Sequence, residues 1–89
     1  MPKVEKEITI KSSQGLHARP AALFVQIVNK YNCEVTVAKS GEKVNGKSIM
    51  GILTLGAEKG CTVHIEVDGD EAPKLLNELE MLLMKENNE

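Results

Sequence analysis

Aromatic side chains are nearly absent from this 89-residue chain, which has one phenylalanine, Phe24, one tyrosine, Tyr31, and no tryptophan. Little is therefore available for stacking on nucleic-acid bases or for lining an aromatic cofactor pocket. Cysteine is scarce too. Cys33 and Cys61 are too few for a disulfide scaffold and form no Cys-x-x-Cys pair, and His17 and His64 each stand alone, so no metal site is expected. No charge sign dominates. With 11 basic and 13 acidic side chains the net charge is −2, and the basic surface that phosphate backbones require is missing. No apolar run approaches the ~20 residues that span a bilayer. The opening Met1-Pro2-Lys3-Val4-Glu5-Lys6-Glu7 has no apolar signal-peptide core. These absences leave a cytoplasmic protein without direct nucleic-acid binding as the expectation. What is present is a normal globular balance, 42% hydrophobic and 27% charged, in a length that suits one domain over residues 1–89.

Hydrophobic periodicity divides the chain into seven elements. Val4, Ile8 and Ile10 alternate with polar residues as in a half-buried strand. Ser12-Ser13-Gln14-Gly15 is a loop. Ala21, Phe24, Val25, Val28 and Tyr31 then form one stripe of an amphipathic helix from Ala18 to about Lys30, with Pro20 in its first turn. Cys33, Val35 and Val37 alternate again, and Ser40-Gly41 turns into a short strand around Glu42–Asn45. Ser48 is placed to cap a brief helix over Ile49–Leu53. Cys61, Val63, Ile65 and Val67 give a further strand, and Asp70 is placed to cap a last helix with the stripe Ala72, Leu75, Leu76, Leu79, Leu82 and Leu83. The order is βαββαβα, and strands with one polar face suit an antiparallel sheet covered by helices on one side. The expected fold is α+β, a two-layer sandwich. Both thiols fall on apolar faces and are expected to be free and buried. His64 falls on a polar face and reads as a surface residue, and Gly46 as part of a flexible loop.

The chemistry concentrates in Gly15-Leu16-His17-Ala18-Arg19-Pro20-Ala21, between the first strand and the first helix. His17 stands where the N-cap belongs. The first-turn N–H groups there lack helical acceptors and the helix dipole is positive, so the end attracts anions. The Arg19 guanidinium suits phosphate oxygens. A neutral imidazole nitrogen beside such groups is a sensible phosphoryl acceptor.

This segment resembles the active-site signature of the HPr family, the histidine-containing phosphocarriers of the bacterial phosphoenolpyruvate:sugar phosphotransferase system. The resemblance continues through Lys43-Val44-Asn45, Lys47-Ser48-Ile49-Met50-Gly51 and Leu55-Gly56, and it covers essentially the whole chain. It implies an open-faced β-sandwich of four antiparallel strands covered by three helices. It also implies a carrier rather than an enzyme, with no cofactor. His17 would take a phosphoryl group on its pros nitrogen from enzyme I and donate it to the IIA domains of sugar permeases, while Arg19 stabilises the transferring charge. The membrane would be reached only through permease complexes, and a monomer is expected.

Ser48 matches the serine phosphorylated in relatives from low-GC Gram-positive bacteria. The resemblance therefore implies a serine kinase/phosphorylase and a catabolite-control transcription factor as further partners. A phosphate at a helix N-terminus need not unfold the segment. Leu16, Ala18, Pro20, Lys47, Ile49, Met50 and Leu53 are the expected partner-binding set, with Leu16, Met50 and Ile49 as an exposed apolar ring around His17. Two alternatives stand beside the carrier. One is a corepressor of the Crh type, whose members lack the active histidine. The other is a paralogue in a nitrogen-related or dihydroxyacetone-kinase chain.

Overall fold

A computed structural model describes residues 3–13 and 15–85; Gln14 of the expected loop and the expected polar tail over 86–89 lie outside the described residues. The elements run β1 (Lys3–Thr9), α1 (Ala18–Val28), β2 (Cys33–Lys39), β3 (Glu42–Asn45), α2 (Ile49–Leu55), β4 (Thr62–Gly69) and α3 (Ala72–Met84). The strands form one antiparallel sheet in the order β1-β4-β2-β3. Ile8 of β1, Val35 and Val37 of β2, and Val63, Ile65 and Val67 of β4 turn one face inward, each at most 2% exposed. All three helices pack on that face, with α3 over β1 and β4, α2 over β2 and β3, and α1 against both α2 and α3. The fold is the α+β two-layer sandwich that the alternation calls for, in the open-faced form that the resemblance implies.

Helix stripes supply the other half of the core. Phe24 and Val28 of α1, Ile52 of α2, and Leu75 and Leu79 of α3 are fully buried. Each such side chain contributes about 1.5–3 kcal/mol relative to exposure. α3 ends against the first strand, where the N–H groups of Lys11 and Ser12 both donate to the Leu83 carbonyl, at 2.9 and 3.1 Å. At the end of α1, Tyr31 and Lys30 both donate to the Glu78 carboxylate of α3.

Three local expectations need correction. Asp70 does not cap α3; the N-cap residue is Glu71, in the left-handed region at φ 62° and with no side-chain cap. The helix begins at Ala72, one residue too late for Asp70 to cap it, and the Asp70 carbonyl accepts the Cys33 thiol at 2.9 Å. That contact ties the turn after β4 to the start of β2. Gly46 is no flexible loop residue. It is buried and donates its N–H to the Val35 carbonyl at 2.7 Å, with Val35 itself 2% exposed. Cys61 precedes β4 and is only half-buried, unlike Cys33. Burial, reinforced by Asp70 and Glu71, pushes the Cys33 thiol pKa up, so that thiol stays protonated.

Candidate functional site

His17 is the N-cap residue of α1. Its backbone is extended, its side chain caps nothing, and its carbonyl accepts the Ala21 N–H at 2.8 Å. The imidazole is therefore free of local duty and exposed. The first turn of α1 contains no acidic residue. The N–H groups of Ala18 and Arg19 have no intrahelical acceptor, Pro20 has no N–H, and the positive end of the 11-residue helix is uncompensated by charge. Arg19 is exposed. Among the described residues it enters no ion pair. An exposed histidine and a free guanidinium thus share one electropositive helix end.

Backbone geometry before His17 explains its presentation. Gly15 is in the left-handed region at φ +59°, and a Cβ there would lie 2.7 Å from Glu58 Cα and 2.8 Å from the Ala57 carbonyl oxygen. Only glycine allows this approach. Leu16 follows with its side chain 2% exposed and its N–H donated to the Ala57 carbonyl at 2.9 Å. The loop is anchored by a buried leucine, and the next residue points outward.

α2 lies beside this loop. Ser48 is its N-cap, and the Oγ accepts the Gly51 N–H at 2.9 Å. The other end closes at Gly56, left-handed at φ 63°, where the Lys39 ammonium donates to the Leu55 carbonyl at 3.2 Å. The His17 loop contacts Ala57 and Glu58, just past that end. Ser48 and the loop are therefore at opposite ends of a 7-residue helix, about 10 Å long at 1.5 Å per residue.

The expected partner-binding set divides on burial. Ala18 and Lys47 are exposed, as are Ile49 at 42% and Met50 at 72%. Lys47 Nζ lies 3.8 Å from Glu34. Leu53 is partly buried against the core. Leu16 and Pro20 are buried, which takes Leu16 out of the exposed ring expected around His17. Leu16 is taken up in anchoring the loop, and Pro20 sits on the α1 stripe one residue ahead of Ala21. Sequence patterning missed Leu23, which is 41% exposed on α1; its signal is that it falls between the stripe positions Ala21 and Phe24. Patterning also missed Lys39, whose role at the end of α2 depends on a tertiary contact.

Comparison with known proteins decides the family. Residues 4–85 match the family model described as the PTS HPr component phosphorylation site. The chain belongs to the HPr family. It is 41% identical over 83 residues to the HPr-like protein Crh of Halalkalibacterium halodurans, covering 93% of this chain and 99% of that one. It is 44% identical over 78 residues to the phosphocarrier protein HPr of Pseudomonas aeruginosa, covering 86% and 87%. Among solved structures, the phosphocarrier protein HPr of Bacillus anthracis superposes with a TM-score of 0.90 at 37% identity, covering 94% of this chain and all of the other. HPr-family membership gives the chain a phosphocarrier or HPr-like regulatory role in the phosphotransferase system. Relatives such as that of Pseudomonas aeruginosa are named phosphocarrier proteins, which is consistent with a carrier rather than a catalyst. No described helix is long and apolar enough to cross a membrane.

Proposed function

We propose that this HPr-family chain is a phosphoryl carrier whose acceptor is His17. The observation that carries the reading is an exposed, unoccupied imidazole at a helix N-terminus with no acidic residue in its first turn. In the forward step the His17 Nδ1 lone pair attacks phosphorus on phosphorylated enzyme I. The new N–P bond forms as the donor's bond to phosphorus breaks. Arg19 and the free first-turn N–H groups face the charge spread over the phosphoryl oxygens. The same step in reverse passes the group to IIA domains of sugar permeases. In this reading the carrier is a cytoplasmic monomer that meets the membrane only through permease complexes.

A second role at Ser48 is favoured by its neighbours. The serine caps α2, and exposed Ile49 and Met50 follow it directly. A serine kinase/phosphorylase acting there would place nearly two negative charges beside an exposed apolar patch. That would redirect docking toward a catabolite-control transcription factor and away from enzyme I. A purely regulatory, Crh-type role is disfavoured by His17 itself.

The test is incubation with enzyme I and phosphoenolpyruvate, followed by intact mass measurement. The expected product carries one acid-labile phosphate, and His17→Ala carries none. Arg19→Ala should fold normally and accept phosphate about tenfold to a hundredfold more slowly, from a lost charge-assisted contact of about 1.5–3 kcal/mol. Equal labelling of the His17→Ala variant would overturn the assignment.

A further inference from the structure

The uncovered face of the sheet holds a second histidine in a different setting. His64 stands on β4 opposite Glu7 of β1, and Glu66 stands opposite Glu5. Positions two apart on a strand share a face, so all four side chains lie on the side away from the helices. His64 Nε2 is 2.7 Å from Glu5 Oε1, and His64 Nδ1 is 3.9 Å from Glu7 Oε2. One donor atom each from Glu5, His64 and Glu66 lies within 4.8 Å of the others.

Two features of this arrangement cost stability as they stand. Glu5 and Glu66 are directly opposed like charges, which disfavours a cross-strand pair. Glu34 of β2 is likewise opposed to Asp68 of β4 on the same face. Lys3, 3.6 Å from Glu66, and Lys47, 3.8 Å from Glu34, offset only part of that charge. A divalent cation between Glu5 and Glu66 would reverse the sign of the interaction.

The geometry points to a zinc-type metal site formed by His64 Nε2 with the Glu5 and Glu66 carboxylates, oriented from behind by Glu7. One imidazole with two carboxylates is a borderline donor set that suits Zn²⁺ rather than Mg²⁺ or Ca²⁺, which favour all-oxygen shells. Tetrahedral zinc with bonds of about 2.0–2.2 Å places its ligand atoms about 3.4 Å apart. Closing from within 4.8 Å takes only small torsions of exposed side chains. Glu7, 3.9 Å from Nδ1, is near enough to close into the outer partner that metal-bound histidines use. With Nε2 on the metal, the Nδ1–H points toward the Glu7 carboxylate. Zinc takes the Nε2 lone pair of the Nδ1–H tautomer, so the neutral ring loses no hydrogen, and water completes the coordination. The site is independent of His17, since it lies on the uncovered sheet face and not among the helices. Its ligands come from β1 and β4, so the bound ion would staple the edge strand to its neighbour.

Calorimetric titration of the full chain with zinc chloride, with magnesium chloride as control, tests the assignment. One zinc per chain should bind and magnesium should not. Zinc should also raise the melting temperature, because only the paired strands present the three ligands together. His64→Gln should abolish binding while His17→Ala leaves it intact. Glu7→Gln should weaken it by about tenfold or more, the usual effect of losing an outer-shell carboxylate. Backbone amide shifts on adding zinc should centre on Glu5, His64 and Glu66. The proposal is overturned if His64→Gln binds zinc as wild type does. It is equally overturned by shifts centred on His17, Cys33 or Cys61, or by no binding at all. His64 is half-exposed, so the substitution leaves the core untouched, and Glu5→Gln gives a second variant with the same expected loss.

Discussion

The Leu16 N–H donates to the Ala57 carbonyl at 2.9 Å, so the residue before His17 is bound to the segment that follows α2. This contact and the burial of the Leu16 side chain hold the loop, while His17 itself bears no structural load. Leu16→Ala should therefore lower unfolding stability by about 2–5 kcal/mol, the range for emptying a core leucine site. His17→Ala should change it by no more than about 0.5 kcal/mol. Urea denaturation of the two variants checks the contrast, and similar losses in both would contradict it.

Ser48 separates capping from docking. Ser48→Ala removes the acceptor of the Gly51 N–H and should cost about 1 kcal/mol. Ser48→Asp keeps an acceptor oxygen and adds one charge. It should stay folded yet bind enzyme I more weakly, with the deficit shrinking as salt rises. That charge stands at the start of α2 beside exposed Ile49 and Met50, and at 0.1 M salt charges are screened over about 10 Å. Affinity at low and high salt, with an amide spectrum of each variant, is the measurement. Spectral changes reaching β4 would instead indicate a rearranged fold.

Gly46→Ala should be destabilising by about 1–3 kcal/mol, the cost of overpacking. The new methyl would lie 2.5 Å from Val35 Cγ1 and 2.8 Å from Val35 Cβ. Val35 is fixed in the core at 2% exposure and has nowhere to retreat. Thermal unfolding reads the effect directly; an unchanged melting temperature would show that β3 can shift away from β2.

Tyr31 gives a pH signature. Its hydrogen bond to Glu78 and the adjacent negative charge raise the hydroxyl pKa from 10.0 to about 12. The group holds its proton more tightly when folded. Its contribution to stability is complete below pH 10.0 and is lost as pH rises toward 12. Tyr31→Phe should be less stable at neutral pH and should lose less than wild type between those values. Denaturant midpoints across the alkaline range check this. Parallel curves for the two proteins would remove Tyr31 from the linkage. The same contacts lower the Glu78 pKa, so that carboxylate's share is present above the ordinary carboxylate range and fades as pH falls through the lowered value.

The regular part of the fold was legible because period reports burial directly. Val63, Ile65 and Val67 alternate without a break, and β4 is an interior strand flanked by β1 and β2. Ser48 was readable as a cap because an N-cap needs only local chemistry. Leu16 and Pro20 were misread for a related reason. Leu16 precedes His17 and Pro20 follows it by three residues, but the side on which each side chain ends is set by Ala57 and by the α1 stripe. Asp70 failed as a cap because the helix begins one residue later than expected, with the Leu75 N–H bonded to the Glu71 carbonyl. Gly46 looked flexible because nothing in its neighbours reveals the approach of Val35. His64 looked isolated because its carboxylate neighbours are 59 and 57 residues away in sequence, at Glu5 and Glu7. Motif residues, by contrast, carry chemistry that does not depend on register, and His17 and Arg19 are proposed on that basis.

The strand order also dictates when the His17 loop can be completed as the chain is made. β1 is synthesised first, yet it sits at the sheet edge with β4 as its only neighbour, so it has no sheet partner until Gly69 has been added. The loop after it is closed from both sides by late residues. Leu16 needs Ala57, and Lys11 and Ser12 need Leu83. A growing chain therefore carries His17 early but gains the rigid setting for it only when α3 docks. Long-range closure of this kind slows folding, and a C-terminally truncated product would expose the histidine without the architecture that holds it.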